Sequence, residues 1–154
     1  MKKRSRGREL ALQFLYQRDL RGPELEDEIE SFLKSEESDR EARKFAHKLV
    51  VGTLEQLESL NEKIQSVAQN WDIARMAVID RNVLRLATFE LLFCNDIPPK
   101  VAINEAIELG KRYSTQNSGA FINGILDKIK SRYADAAKQG KAGGGSKPEA
   151  TQAS

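Results

Sequence analysis

The chain has 154 residues, 40% of them hydrophobic and 31% charged, with a formal net charge of +2. That length suffices for one domain, or two small subdomains sharing a core, without disulfide or metal staples. No run approaches the roughly 20 apolar residues needed to cross a bilayer, and no apolar segment with a cleavage site follows the basic N-terminus. The single cysteine, Cys94, excludes an internal disulfide and a cysteine-built metal site. A cytoplasmic globular protein is expected, with no membrane association. The near-neutral total conceals an uneven distribution. Residues 1–8 carry Lys2, Lys3, Arg4, Arg6 and Arg8 with no acid before Glu9, whereas residues 24–41 set nine acids against Lys34 and Arg40, a net of −7.

The apolar residues recur at helical period throughout, and no stretch has the alternation and β-branched enrichment of a strand set. The first helix is expected from about Ser5 to Leu20. It has one stripe of Leu10, Ala11, Phe14 and Leu15, and a second of Leu12, Tyr16 and Leu20, so it is either central to the core or covered on one side by a partner. Gly22-Pro23 ends it, and Pro23 suits the first turn of a second helix, where Glu24 and Glu26 complement the positive end of the dipole. Leu25, Ile29, Phe32 and Leu33 give that helix its core stripe. Ser38 and Glu41 have capping-box spacing before a long third helix carrying Phe45, Leu49, Leu57, Leu60, Ile64 and Val67. Gly52 inside it predicts a close helix crossing.

These three helices form an N-terminal half of about residues 1–70; the second half, about 71–134, opens at Trp71. A short helical turn is expected over 72–77. The helix after it, with Ile79, Val83, Leu84, Leu86, Ala87, Leu91 and Leu92, is apolar nearly all round and should be the most buried. It stops before Pro98, since the residue preceding a proline is pushed out of the helical region. Then come two helices joined by the polar turn Ser114–Gly119, the helical counterpart of a hairpin. The first should bury Val101, Ala102, Ala106 and Leu109, and the second Ile122, Ile125, Leu126 and Ile129. Glu108 and Arg112 are spaced for an i,i+4 pair. Residues 135–154, rich in Gly, Ser, Ala and Lys, lack the apolar content to offset ordering and are expected to be a disordered tail.

Catalytic chemistry is hard to assemble. His47 is the only histidine and lies on an amphipathic helix, so no zinc constellation exists at the usual spacing. Cys94 has no nearby base to activate its thiolate and reads as a packing residue. No phosphate-binding loop of either glycine-rich type is present. No enzyme, metal or cofactor is expected. The basic residues at the N-terminus are the better candidate. Five cations contacting single-stranded RNA would give log affinity a slope of about −3.5 against log salt, while the alternative is a merely solubilising terminus. In the Ser114–Gly119 turn, Asn117 and Ser118 offer polar groups, with Ser118 a candidate N-cap. Phe121 is placed either to stack an unpaired base beside phosphate-facing amides or to fill the core.

The run IPPKVAINEAIELGKRYS, a short polar turn and FINGILDKI (97–129) closely resembles the signature of the NusB family of bacterial transcription antitermination factors. The resemblance extends back through Trp71, Ile79-Asp80-Arg81, Leu84-Arg85-Leu86-Ala87 and Phe89-Glu90-Leu91, and at the N-terminus through Arg8-Glu9, Ala11, Gln13 and Leu15-Tyr16. It implies an all-α fold of two packed three-helix-like halves over residues 1–134 and no enzymatic activity. It further implies binding of the boxA element of ribosomal RNA leader transcripts together with ribosomal protein S10 (NusE), within an antitermination complex on RNA polymerase. By matching positions, the RNA-facing residues fall on Arg4, Arg6 and Arg8, on Asn117 and Ser118, and on Phe121, with Lys2 and Lys3 adjoining. The S10-facing residues fall on Tyr16 and Asp80. The family's turn is often acidic, whereas Asn117 makes this one neutral, which should ease phosphate approach.

Two other readings stand beside this one. The same module fronts ribosomal-RNA cytosine methyltransferases, which need a further α/β domain for S-adenosylmethionine, and no such domain is read here. A helical adaptor that binds protein alone would use the basic terminus only for solubility. A homodimer through Leu12 and Leu20 is also compatible with the second stripe.

Overall fold

The computed structural model describes residues 2–134; the expected tail, 135–154, lies outside them. The described chain is helical, with no strand in it: α1 (Lys3–Arg21), α2 (Ile29–Glu36), α3 (Arg40–Glu55), α4 (Leu57–Val67), α5 (Val78–Phe93), α6 (Pro99–Tyr113) and α7 (Ser118–Ile129). Short 3-10 turns at Pro23–Glu28 and Ile73–Arg75 lead into α2 and α5, and a π turn, Lys130–Ala134, follows α7. No described helix is long and apolar enough to cross a membrane.

The fold is built around α5. Every residue from Asn82 to Leu91 is buried, and the helix packs against α1, α3, α4, α6 and α7. Its all-round apolar character follows from being covered on every side. Around it Phe14, Leu15, Leu49, Leu60, Ile64, Ile122 and Leu126 form one continuous core. Gly52 of α3 is where that helix meets α5, because a Cβ there would sit 2.0 Å from Phe89 Cζ. Gly22, at φ 105°, ends α1 in a conformation side-chain-bearing residues rarely adopt.

Several local expectations are corrected. The long third helix is two: the chain breaks at Gln56 (φ −104°, ψ 15°), between α3 and α4. Asp39, not Ser38, caps α3, its carboxylate accepting from the Ala42 amide at 2.8 Å. Val101 is exposed, whereas its neighbours Ala102 and Ile103 turn into the core. Arg112 reaches across to Glu9 rather than back to Glu108, which meets Lys111 at 3.8 Å instead. Cys94 is buried, and burial pushes its thiol up to about 11, as a packing residue requires.

Candidate nucleic-acid interface

The basic N-terminal segment is no loose arm. It is the first turns of α1, which begin at Lys3, and the fold supplies an acid for most of its cations. Lys3 lies 3.5 Å from Asp39, and Arg4 donates to Asp96 at 2.9 Å across an exposed pair. Arg6 donates through Nε to Glu37 at 2.7 Å and through Nη2 to the Glu36 carbonyl. The end of the acidic segment, Glu37 and Asp39, thus supplies counter-charge to Arg6 and Lys3, while Arg4 takes its acid from Asp96.

Arg8 departs from the expected exposed set. It is 3% exposed, and its Nε and Nη2 fork around the Glu90 carboxylate of α5, with Nη2 to Oε1 at 2.7 Å. Nη1 reaches Glu105 of α6 at 3.3 Å. Such an arrangement locks α1 to α5 and α6, and leaves Arg8 no path to a phosphate in this conformation. Its position seven residues from the N-terminus gave no sign of this; Glu90, an acid inside the most apolar helix, was the available signal, because a charge buried there needs a partner.

Glu9, also buried, connects the start of α1 to the α6–α7 turn. It accepts from Arg6, from Tyr113 Oη at 2.7 Å and from Arg112. Burial by itself would raise the carboxyl of Glu9, but the hydrogen bonds from Tyr113, Arg112 and Arg6 outweigh it and hold the carboxyl below its ordinary range. The basic turn and the polar turn are in this way tied to one buried carboxylate.

In the polar turn the expected residues separate. Asn117 is exposed and precedes α7, and no side chain caps the helix. Ser118 is helical rather than the cap, and it is buried at 3% exposure. Its Oγ bonds with Ser114 Oγ at 2.9 Å and donates to Asp80 Oδ2 at 3.3 Å, while Asp80 Oδ1 is buried without a partner among the described residues. Asp80 and Ser118, assigned by resemblance to different ligands, thus touch one another. Phe121 is half-buried and meets Trp71 edge to face, with ring centroids 5.8 Å apart. Trp71 is itself 56% exposed, and Gln65 fixes the strand of chain bearing it, donating to the Trp71 carbonyl at 2.6 Å and accepting from the Ile73 amide at 2.8 Å. The sequence marked Trp71 only as the opening of the second half; an aromatic among Asn70, Asp72 and other polar residues was the signal that it is more than core.

At the far end of α1, Asp19 gathers Arg81, Asn82 and Arg85 of α5 around one carboxylate oxygen at 2.9–3.0 Å. Tyr16 and Leu20, 36% and 59% exposed, lie on the uncovered side of that end of the helix, whereas Leu12 is buried. The second apolar stripe is thus covered at its start and open at its end.

Comparison with known proteins gives this geometry its context. The NusB family model matches residues 5–131. The transcription antitermination protein NusB of Anaeromyxobacter dehalogenans is 51% identical over 130 residues, covering 84% of this chain and 91% of its own length. NusB of T. maritima superposes with a TM-score of 0.77 at 40% identity, over 88% of this chain and 96% of that one. A chain of the solved complex of antitermination factors NusB and NusE with dsRNA superposes at 0.77 with 28% identity, covering 86% and 99%. Sequence, helix order and superposition agree over nearly the whole described chain, and the protein belongs to the NusB family of transcription antitermination proteins.

Proposed function

We propose that this protein is a non-enzymatic, cytoplasmic antitermination factor. In this reading it binds boxA-type single-stranded RNA of ribosomal RNA leader transcripts together with ribosomal protein S10 (NusE), and joins the antitermination complex on RNA polymerase. The observation that carries the RNA reading is the aromatic pair of exposed Trp71 and half-buried Phe121, centroids 5.8 Å apart, beside exposed Asn117 and the uncapped start of α7. A half-buried ring fixed by a neighbour is a stacking platform for an unpaired base, and free amides at a helix start suit a phosphate. Lys2, Lys3, Arg4 and Arg6 approach the same strand from the first turns of α1. For S10, the open end of the second stripe at Tyr16 and the carboxylate of Asp80 are the proposed contacts. The solved complex of a family member, NusB, with NusE and dsRNA supports the combination of partners.

The test is ternary: this protein, S10 and a boxA RNA titrated singly and together over a range of salt. Substituting Arg4 and Arg6 should weaken RNA binding and leave S10 binding unchanged, and Tyr16→Ala should do the reverse. Absence of binary and ternary RNA binding at low salt would sink the reading, and equal loss in both assays would indicate unfolding.

A further inference from the structure

The first turn of α1 and the outer face of α3 enclose a shallow groove of about 430 Å³ lined by Lys3, Arg4, Glu41, Lys44, Phe45 and Lys48. Four cations face one acid there. Lys3 and Arg4 enter it already bonded to Asp39 and Asp96, and Arg4 also sits 4.8 Å above the Phe45 ring. Lys44 and Lys48 differ: both are exposed, and neither forms an ion pair or side-chain hydrogen bond among the described residues. A cation that leaves a carboxylate for a phosphate exchanges one anion for another, whereas an unpaired lysine releases a condensed counterion and strengthens binding. The two are four residues apart on one helical face, a rise of about 6 Å, comparable to one nucleotide step of an extended strand. The groove floor, Phe45, is only 8% exposed, so there is no apolar pocket to anchor a peptide side chain, while a rail of charge suits a phosphate backbone.

We propose that the RNA strand bound at the first turns of α1 continues onto α3, where Lys44 and Lys48 take its phosphates. This inference rests on the RNA-binding reading above. The probes are a labelled boxA RNA and the same RNA lengthened at each end, with affinity measured by anisotropy between about 50 and 200 mM salt. On the lengthened RNA, Lys44→Gln with Lys48→Gln should make the slope of log affinity against log salt shallower by about 1.4. Equivalently, the wild type should lose about sevenfold more affinity than the variant across that salt range. Lys44→Arg with Lys48→Arg should keep the wild-type slope, and both variants should melt as the wild type does. An unchanged slope on both RNAs overturns the inference, as does loss of S10 binding with RNA affinity intact, which would assign the face to a protein. If Phe121→Ala weakens RNA binding and the lysine variant does not, only this inference falls. If the wild type binds no RNA, the RNA reading fails and takes this with it.

Discussion

The start of α1 and the α6–α7 turn are two polar surfaces joined through Glu9, yet they are constructed in opposite ways. The first has dense charge, most of it consumed: Lys3, Arg4, Arg6 and Arg8 each meet a carboxylate. The second is neutral at Asn117, has an uncapped helix start, and offers the Phe121–Trp71 pair. Charge counted along a chain is therefore not charge available to a ligand. Pairing within the fold sets the free share, and burial decides whether a pair can open. Arg4–Asp96 is more than half exposed on both sides, while Arg8–Glu90 is nearly sealed.

The largest expected effect contrasts those two pairs. Glu90→Ala strands the buried Arg8 charge and should cost about 3–5 kcal/mol in urea unfolding, whereas Asp96→Ala should cost less than about 1 kcal/mol. Similar costs for the two would erase the distinction between structural and available arginines. Next, Phe121→Ala should weaken RNA binding by about 1–3 kcal/mol, the range for one base stacked on one aromatic ring. Arg4→Ala should lose less, because its guanidinium leaves Asp96 to reach a phosphate; a larger loss at Arg4 than at Phe121 would invert the comparison.

Acid should probe the joint between the two surfaces. Glu9 and Asp19 are both held below their ordinary range. At Asp19 burial acts to raise the carboxyl, but the hydrogen bond from Arg81, the charge of Arg85 and the hydrogen bond from Asn82 outweigh it. Groups with depressed folded pKa values stabilise the fold fully above their unfolded values, about 4.3 for Glu and 3.9 for Asp, and that stability is lost as pH falls through the folded values. Melting temperature should accordingly decline below about pH 4, and less steeply in Glu9→Gln; an identical acid limb in the two proteins would remove Glu9 from the joint. The smallest effect is at the neutral turn. Asn117→Asp should weaken RNA binding about two- to fivefold at low salt, the scale of one exposed charge interaction, and the deficit should fade as salt rises. Equal affinity at low salt would show that the neutral turn gives phosphate no advantage.

Much of the frame was legible because it depends on local rules. Gly22-Pro23 and Pro98-Pro99 are backbone stops whatever surrounds them, and the all-round apolar run in α5 can only be a covered helix. The close crossing at Gly52 was readable too, since a glycine inside a strong helical pattern signals contact. The break at Gln56 was not: Leu49, Leu57, Leu60 and Ile64 keep helical spacing through it, and the turn into α4 is imposed by packing against α5 and α7. Among the site residues, the exposure of Asn117 follows from its place in a polar turn, whereas for Phe121 stacking and core filling stood open until its half-buried place against Trp71 was seen. Arg8 and Ser118 were not legible, because their fates depend on Glu90, Glu105 and Asp80, at least 38 residues distant in the chain.

By itself, then, the sequence determined helical class, most helix ends, the buried central helix and the family, all of which follow from periodicity, backbone stops and a long contiguous motif. Only the tertiary structure decided which cations are free. An ion pair forms between elements distant in sequence, and its strength depends on how far burial removes water from between them. Five basic residues in eight look equivalent on the page; folded, Arg8 is a buried strut, Lys3, Arg4 and Arg6 form ion pairs, Lys2 is exposed and unpaired among the described residues, and the unpaired lysines Lys44 and Lys48 beside them come from another helix.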